Sequence, residues 1–164
     1  MLVRLSPRTA LAIAVAGCST PKEEKPEDHP VATLGVHLET LPDGMDFTMP
    51  VPIFRQSPVI INVDKRAILT EANLTEAKVI EYGGSFALQL QFDRRGTWLL
   101  ENYSTTNPGR HFAIYCQFGP KLKESRWLGA PIIPRRISNG ILVFTPDASR
   151  EEADTIVLGL NAVA

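Results

Sequence analysis

The sequence predicts an α+β domain: a mostly antiparallel mixed sheet with two longer helices and one short helix packed on it. Three observations carry this expectation. Several runs alternate apolar and polar side chains between turn signals, as half-buried strands do. Two later stretches open on helix-capping residues and continue with apolar positions at helical spacing. Gly83-Gly84 joins two strand-like runs through a loop of only two residues, the form of a tight hairpin.

Taken in order, residues 32–40 place Leu34, Val36 and Leu38 on one face of a strand. Pro42-Asp43-Gly44 reads as a turn, and residues 45–52 as a returning strand that completes a hairpin. Pro50, Pro52 and Pro58 point to edge strands or a change of strand, because proline cannot donate to a ladder. The β-branched run 59–63 is the next strand. Thr70 caps a short helix with Glu71 in its first turn, and Leu74 and Ala77 face inward from it. Residues 78–82 and 85–92 are the arms of the glycine hairpin. Phe86, Leu88, Leu90 and Phe92 share one face, and Ala87, Gln89 and Gln91 the other. Asp93 caps a helix through about residue 105, with Trp98, Leu99, Leu100 and Tyr103 as its apolar side. Asn107-Pro108-Gly109 stops it. In strand 112–118, Ile114, Cys116 and Phe118 oppose Ala113 and Tyr115. A polar, basic connection over 120–126 leads to strands at 127–133 and 141–144. Ser149 and Glu152 form a capping box ahead of the last helix, whose buried stripe is Ala153, Ile156, Val157 and Leu160.

Composition bounds the function. With 164 residues, 44% hydrophobic and 21% charged, the chain supports one globular domain with a real core. A formal net charge of -1 excludes the broad basic surface of a nucleic-acid binder. The amino terminus has another purpose. Arg4 and Arg8 precede the apolar run 10–16, which is too short for the roughly 20 residues of a membrane span. Val15-Ala16-Gly17-Cys18 then resembles the lipobox of bacterial lipoproteins. That resemblance implies cleavage before Cys18 and acylation of its thiol and freed amine. Residues 1–17 are thus expected to be a lipoprotein signal peptide. Residues 18–30 are expected to be the lipidated cysteine and a flexible tether, and residues 31–164 a single α+β domain. The tether holds three prolines and six charged residues, too polar to offset the entropy of ordering. The implied partner of Cys18 is the lipid bilayer. Ser19 after the cysteine resembles the pattern sorted to the outer membrane, with the domain facing the periplasm.

The domain itself resembles a known family. The carriers are Leu69-Thr70-Glu71-Ala72-Asn73-Leu74, Ala77-Lys78-Val79, Tyr82-Gly83-Gly84 and Asp93-Arg94-Arg95-Gly96. They continue with Gly109-Arg110-His111-Phe112-Ala113-Ile114, Ala130-Pro131-Ile132-Ile133, and Phe144-Thr145-Pro146 leading to Glu151-Glu152-Ala153. Their order and spacing over about residues 68–163 resemble the first periplasmic head domain of the SecD subunit of the SecDF export complex. The resemblance implies a SecD head-domain-like fold, contact with exported or envelope polypeptides, and no active site. The family's short turn after the "A-I-V" strand is replaced here by Gln117-Phe118-Gly119-Pro120 and a longer basic loop.

The residues offer no catalytic constellation of their own. Cys116 reads as a small hydrophobe in the core. His111 is five residues away on the opposite strand face, and His37 stands in no recognisable motif. No acidic spacing or glycine loop calls for a metal or other cofactor. Lys121, Lys123, Arg126, Arg135 and Arg136, near Trp127, form a candidate basic contact face; the alternative is a solvated loop surface. Tyr82, Trp98, Tyr115 and Trp127 read as core or half-core. The expected function is a non-enzymatic envelope contact module, with a structural lipoprotein bound to one fixed partner as the alternative and an envelope enzyme last. Cys18→Ser is expected to abolish incorporation of labelled fatty acid and to leave an unprocessed or soluble form. Unchanged size and membrane association would contradict the lipid anchor.

Overall fold

The computed structural model describes residues 31–164; the expected signal peptide, Cys18 and the tether lie outside the described residues. The elements follow as β1 (Thr33–Leu38), β2 (Thr48–Ile53), β3 (Val59–Asp64), β4 (Leu69–Thr70), β5 (Leu74–Tyr82) and β6 (Ser85–Phe92). Then come α1 (Arg94–Thr106), β7 (Phe112–Phe118), β8 (Glu124–Gly129), β9 (Ile141–Phe144) and α2 (Arg150–Asn161). Single 3-10 turns stand at Glu71–Asn73 and Pro120–Leu122. Among the described residues all strand pairs are antiparallel, and two helices pack on the sheets, so the expected fold class holds. The sheet is in three pieces: β4-β1-β7-β8, β2-β3 and β5-β6-β9.

The expected hairpin between residues 32–40 and 45–52 does not form. β1 lies between β4 and β7, while β2 pairs with β3. Pro50 and Pro52 leave β2 only one edge able to pair, and β3 takes it. The prolines are accommodated in the resulting two-stranded ribbon. The short helix at Thr70 is also shorter than expected. It ends at Asn73, and Leu74 and Ala77 are buried as parts of β5.

Strand alternation builds two hydrophobic layers. Leu34 and Val36 of β1, with Phe112, Ile114, Cys116 and Phe118 of β7, join Leu88, Leu90, Leu100, Ile156 and Leu160 in the main core. The other face of the same sheet buries Ala113 against Val51, Ile53 and Val63 of the β2–β3 ribbon, with Trp127 and Ala130 at the margin. The four-stranded sheet is therefore covered on both faces.

Both helices start where expected. The Asp93 carboxylate accepts from the Gly96 N–H at 2.6 Å, and the Ser149–Glu152 box bonds in both directions, at 3.1 and 2.8 Å. α1 differs in the side it buries. Its inward stripe is Gly96, Leu100 and Ser104, spaced by four. Trp98 stands two residues from Leu100, about 200° around the helix, and is 62% exposed. Tyr82 is exposed as well. α2 buries Ala153, Ile156 and Leu160 as expected. Its Gly159 lets the helix touch the chain leading into β1, where a Cβ would come within 2.8 Å of the Ala32 nitrogen.

Candidate functional site

A sheet edge is a row of backbone donors and acceptors, and it must be paired, covered or left open to a partner. β3 is closed on its outer side at Asn62, where Thr40 N–H donates to Asn62 O at 2.9 Å. That bond turns the Asn62 carbonyl away from β2. Pro50, opposite Asn62, is therefore in a non-hydrogen-bonded pair, and Pro50 and Pro52 set their ring nitrogens along β2's outer edge. On β5, Asn161 plays the part of a neighbouring peptide. Ala77 N–H donates to its Oδ1 at 2.8 Å, and its Nδ2 donates to Ala77 O at 3.0 Å. An Arg150–Glu81 ion pair fixes the other end of α2 beside that strand. On β9, Ile141 N–H is taken by the Asn139 side chain.

β8 is different. Glu39 N–H donates to His111 O, so the odd-numbered residues of β7 bond towards β1. Phe112 N–H donates to Pro131 O, so the even-numbered ones bond towards β8. Cys116 with Arg126 and Phe118 with Glu124 are thus the hydrogen-bonded pairs. Ser125 and Trp127, between and beyond them, direct their N–H and C=O groups outward. No backbone partner among the described residues takes them. Above them the edge is closed again, because Asp147 N–H donates to Leu128 O at 2.6 Å.

This open stretch faces a groove of about 560 Å³. Residues 124–127 of β8 and Asp147 form one side, and Pro52, Phe54, Arg55 and Pro58 at the ribbon tip form the other. Phe54 is in the left-handed region, at φ 66°, an uncommon and strained conformation for a bulky residue. It is 45% exposed in the groove wall.

Most charges around the groove are matched, but Glu124, exposed on the β8 side, has no ion-pair partner among the described residues. Arg55 donates to Asp147 Oδ2 from its backbone N–H at 2.9 Å and from Nε at 3.1 Å. Arg126 grips Glu152 through both terminal nitrogens, at 2.9 and 3.0 Å, and reaches Asp147 O at 3.0 Å. The Arg126 bonds hold the Glu152 carboxyl down at about 2, against the opposing effect of burial and with help from the Ser149 N–H. Burial pushes the Asp147 carboxyl up, but the Arg55 bonds prevail and leave it below the usual range. Beyond the paired ions, the free capacity is the Glu124 carboxylate and main-chain donors and acceptors beside Pro52, Phe54, Pro58 and Trp127. That suits an extended backbone, with a place for a cationic side chain beside Glu124.

The candidate cations are not gathered here. Lys121 and Lys123 are exposed on the turn after β7. Arg126 is in β8, with its side chain only 11% exposed and committed to Glu152. Arg135 and Arg136 follow Ile132, which bridges His111 at the opposite end of β7. Seven strand residues separate the two ends, a span of about 20 Å, so the five do not form one face. Arg136 is paired with Glu101. Sequence reasoning also missed Ser125, whose importance lies in which way its backbone points.

Other reactive groups lie elsewhere. Burial pushes the Cys116 thiol up to about 12, which leaves it protonated and inert at neutral pH. His111 Nδ1 bonds Glu39 Oε2 at 2.6 Å, and His37 Nδ1 lies 2.9 Å from Asp64 O. Among the described residues no three side chains converge as metal ligands.

The family model described as "SecDF, P1 head subdomain" matches residues 48–164. No curated protein sequence matches. Among solved structures, one titled "Structure and function of a membrane component SecDF that enhances protein export" aligns with a TM-score of 0.57 and 19% identity. The alignment covers 82% of this chain and 64% of that one. A structure of SecDF in its super-membrane-facing form aligns with a TM-score of 0.56 and 20% identity, over 82% of this chain and 19% of that one. The chain spans less than two thirds of either relative, and at these identities the likeness concerns the fold.

The Arg126–Glu152 pair yields a pH prediction. Because the folded carboxyl is depressed, its stabilisation is complete above the ordinary value of 4.5 and is lost as pH falls through about 2. Glu152→Gln should cost about 1–2 kcal/mol at neutral pH. Urea unfolding should show the gap to wild type narrowing between pH 4.5 and 2. A gap of equal size throughout that range would contradict the assignment.

Proposed function

The chain belongs to the SecDF P1 head subdomain family, and from that premise we propose that it is a non-enzymatic, lipid-anchored envelope module that holds extended segments of exported or envelope polypeptides. The observation that carries this reading is the open stretch of β8 at Ser125 and Trp127, beside a groove that sets Pro52, Phe54, Pro58 and Trp127 among charged side chains. An incoming strand would add to that edge and place alternate side chains against Pro52, Phe54, Pro58 and Trp127. Each main-chain bond is worth about 0.5–1.5 kcal/mol net, and part of that is spent ordering the incoming chain. Binding of this kind is weak and sequence-tolerant, as transient contact with passing chains requires.

The anchor is Cys18, acylated and set in the outer membrane with the domain facing the periplasm. No helix among the described residues is long and apolar enough to cross a membrane. The twelve residues 19–30 reach at most about 40 Å when extended, so the groove works close to the bilayer. The solved relative is described as a membrane component that enhances protein export. In this chain the corresponding contribution would be contact alone.

The test is Ser125→Pro. Ser125 makes no ladder bond to β7, so proline there removes one outward donor and spares the sheet. Fluorescence anisotropy with a labelled ten-residue Val/Thr-rich peptide should show binding weakened about fivefold, with the thermal midpoint little changed. Unaltered affinity would sink the strand-addition reading. Photo-crosslinking from Phe54 in intact envelopes that yields one dominant protein would favour a fixed partner over varied chains.

A further inference from the structure

We propose a second interaction surface, centred on Trp98, that docks a carboxylate-rich protein face. It shares no residue with the β8 groove and does not rest on the strand-addition reading.

The surface is built by α1 and the 134–140 loop, which laces along the helix in the opposite direction. Phe92 N–H donates to Gly140 O at 2.9 Å, and Ile137 N–H donates to Ser104 Oγ at 2.8 Å. The Arg136–Glu101 ion pair lies on the same seam. Two hollows meet at Trp98. One, of about 550 Å³, is bounded by Asp93, Arg94 and Arg95; the other, of about 400 Å³, by Glu101 and Arg136. Arg135 lies next along the loop and is exposed. The result is a 62% exposed indole flanked by Arg94, Arg95 and Arg136, with Arg135 in the neighbouring hollow along the loop.

The charge balance selects the partner. Arg136 has Glu101, but Arg94, Arg95 and Arg135 have no carboxylate partner among the described residues. Arg94 and Arg95 occupy the first turn of α1 beside the Asp93 cap, whose carboxylate is engaged by the Gly96 N–H. An approaching carboxylate face would pair the free guanidinium groups, while Trp98 fills an apolar notch. Tryptophan and arginine are the side chains most often found to dominate binding at protein interfaces.

The chain has two tryptophans, so Trp127→Phe makes Trp98 the only indole reporter. Polyglutamate should then produce a saturable blue shift that weakens with salt, and polyglutamine none. Replacing Arg94, Arg95 and Arg135 together with alanine should weaken polyglutamate binding about tenfold. A parallel arm reconstitutes the full chain in phosphatidylglycerol vesicles that carry brominated acyl chains. Trp98 should be unquenched there. Failure to shift with polyglutamate, indifference to the arginine substitutions, or quenching by the brominated lipid overturns the proposal; quenching would assign the surface to the bilayer.

Discussion

The hydrogen-bonding phase of β7 is the constraint on which the rest depends. Odd-numbered residues bond towards β1 and even-numbered ones towards β8. Side chains alternate in the same rhythm, so Phe112, Ile114, Cys116 and Phe118 enter the main core while Ala113 enters the smaller core beneath the ribbon. One strand thus settles three things: the position of β1, the burial of both faces of its sheet, and the backbone groups that β8 has left over. A shift of one residue would exchange the two cores and close the outward edge at Ser125 and Trp127.

The other edges are closed only in part. Prolines blunt β2, an asparagine side chain caps β5 at Ala77, and a loop residue bonds β3 at Asn62; the open stretch of β8 is set apart by the groove beside it. Arg126 and Glu152 brace the open strand from behind by tying it to the first turn of α2. Most of the acidic and basic groups around the groove are consumed in holding it together, Glu124 excepted. What is offered outward is backbone, apolar surface and one carboxylate.

Much of this was legible in the sequence where the information is local. Alternation placed residues 85–92 and 112–118 as strands with the observed ends, and Asp93 and the Ser149–Glu152 box marked both helix starts. The motifs from residue 68 onward carried the family resemblance, and the family match extends it back to residue 48, across the β2–β3 ribbon. Less legible was everything set by long-range pairing. β1 lies beside β7, not β2, because of partners some eighty residues apart. Trp98 reads as apolar and therefore inward, yet the helix turns it outward because Gly96, Leu100 and Ser104 already occupy the inner face. The five candidate cations looked like one cluster because they are close in sequence. The strand between them carries them to opposite ends.

Amide hydrogen exchange resolved by residue tests the open edge most directly. Ser125 and Trp127 should exchange rapidly in the free protein, while Arg126 between them and Ala77 beneath Asn161 stay protected. An extended peptide added at saturation should slow Ser125 and Trp127 and leave Ala77 unchanged. Protection of Ser125 and Trp127 equal to that of Arg126 before any peptide is added would contradict the central claim, because that edge would then already be closed.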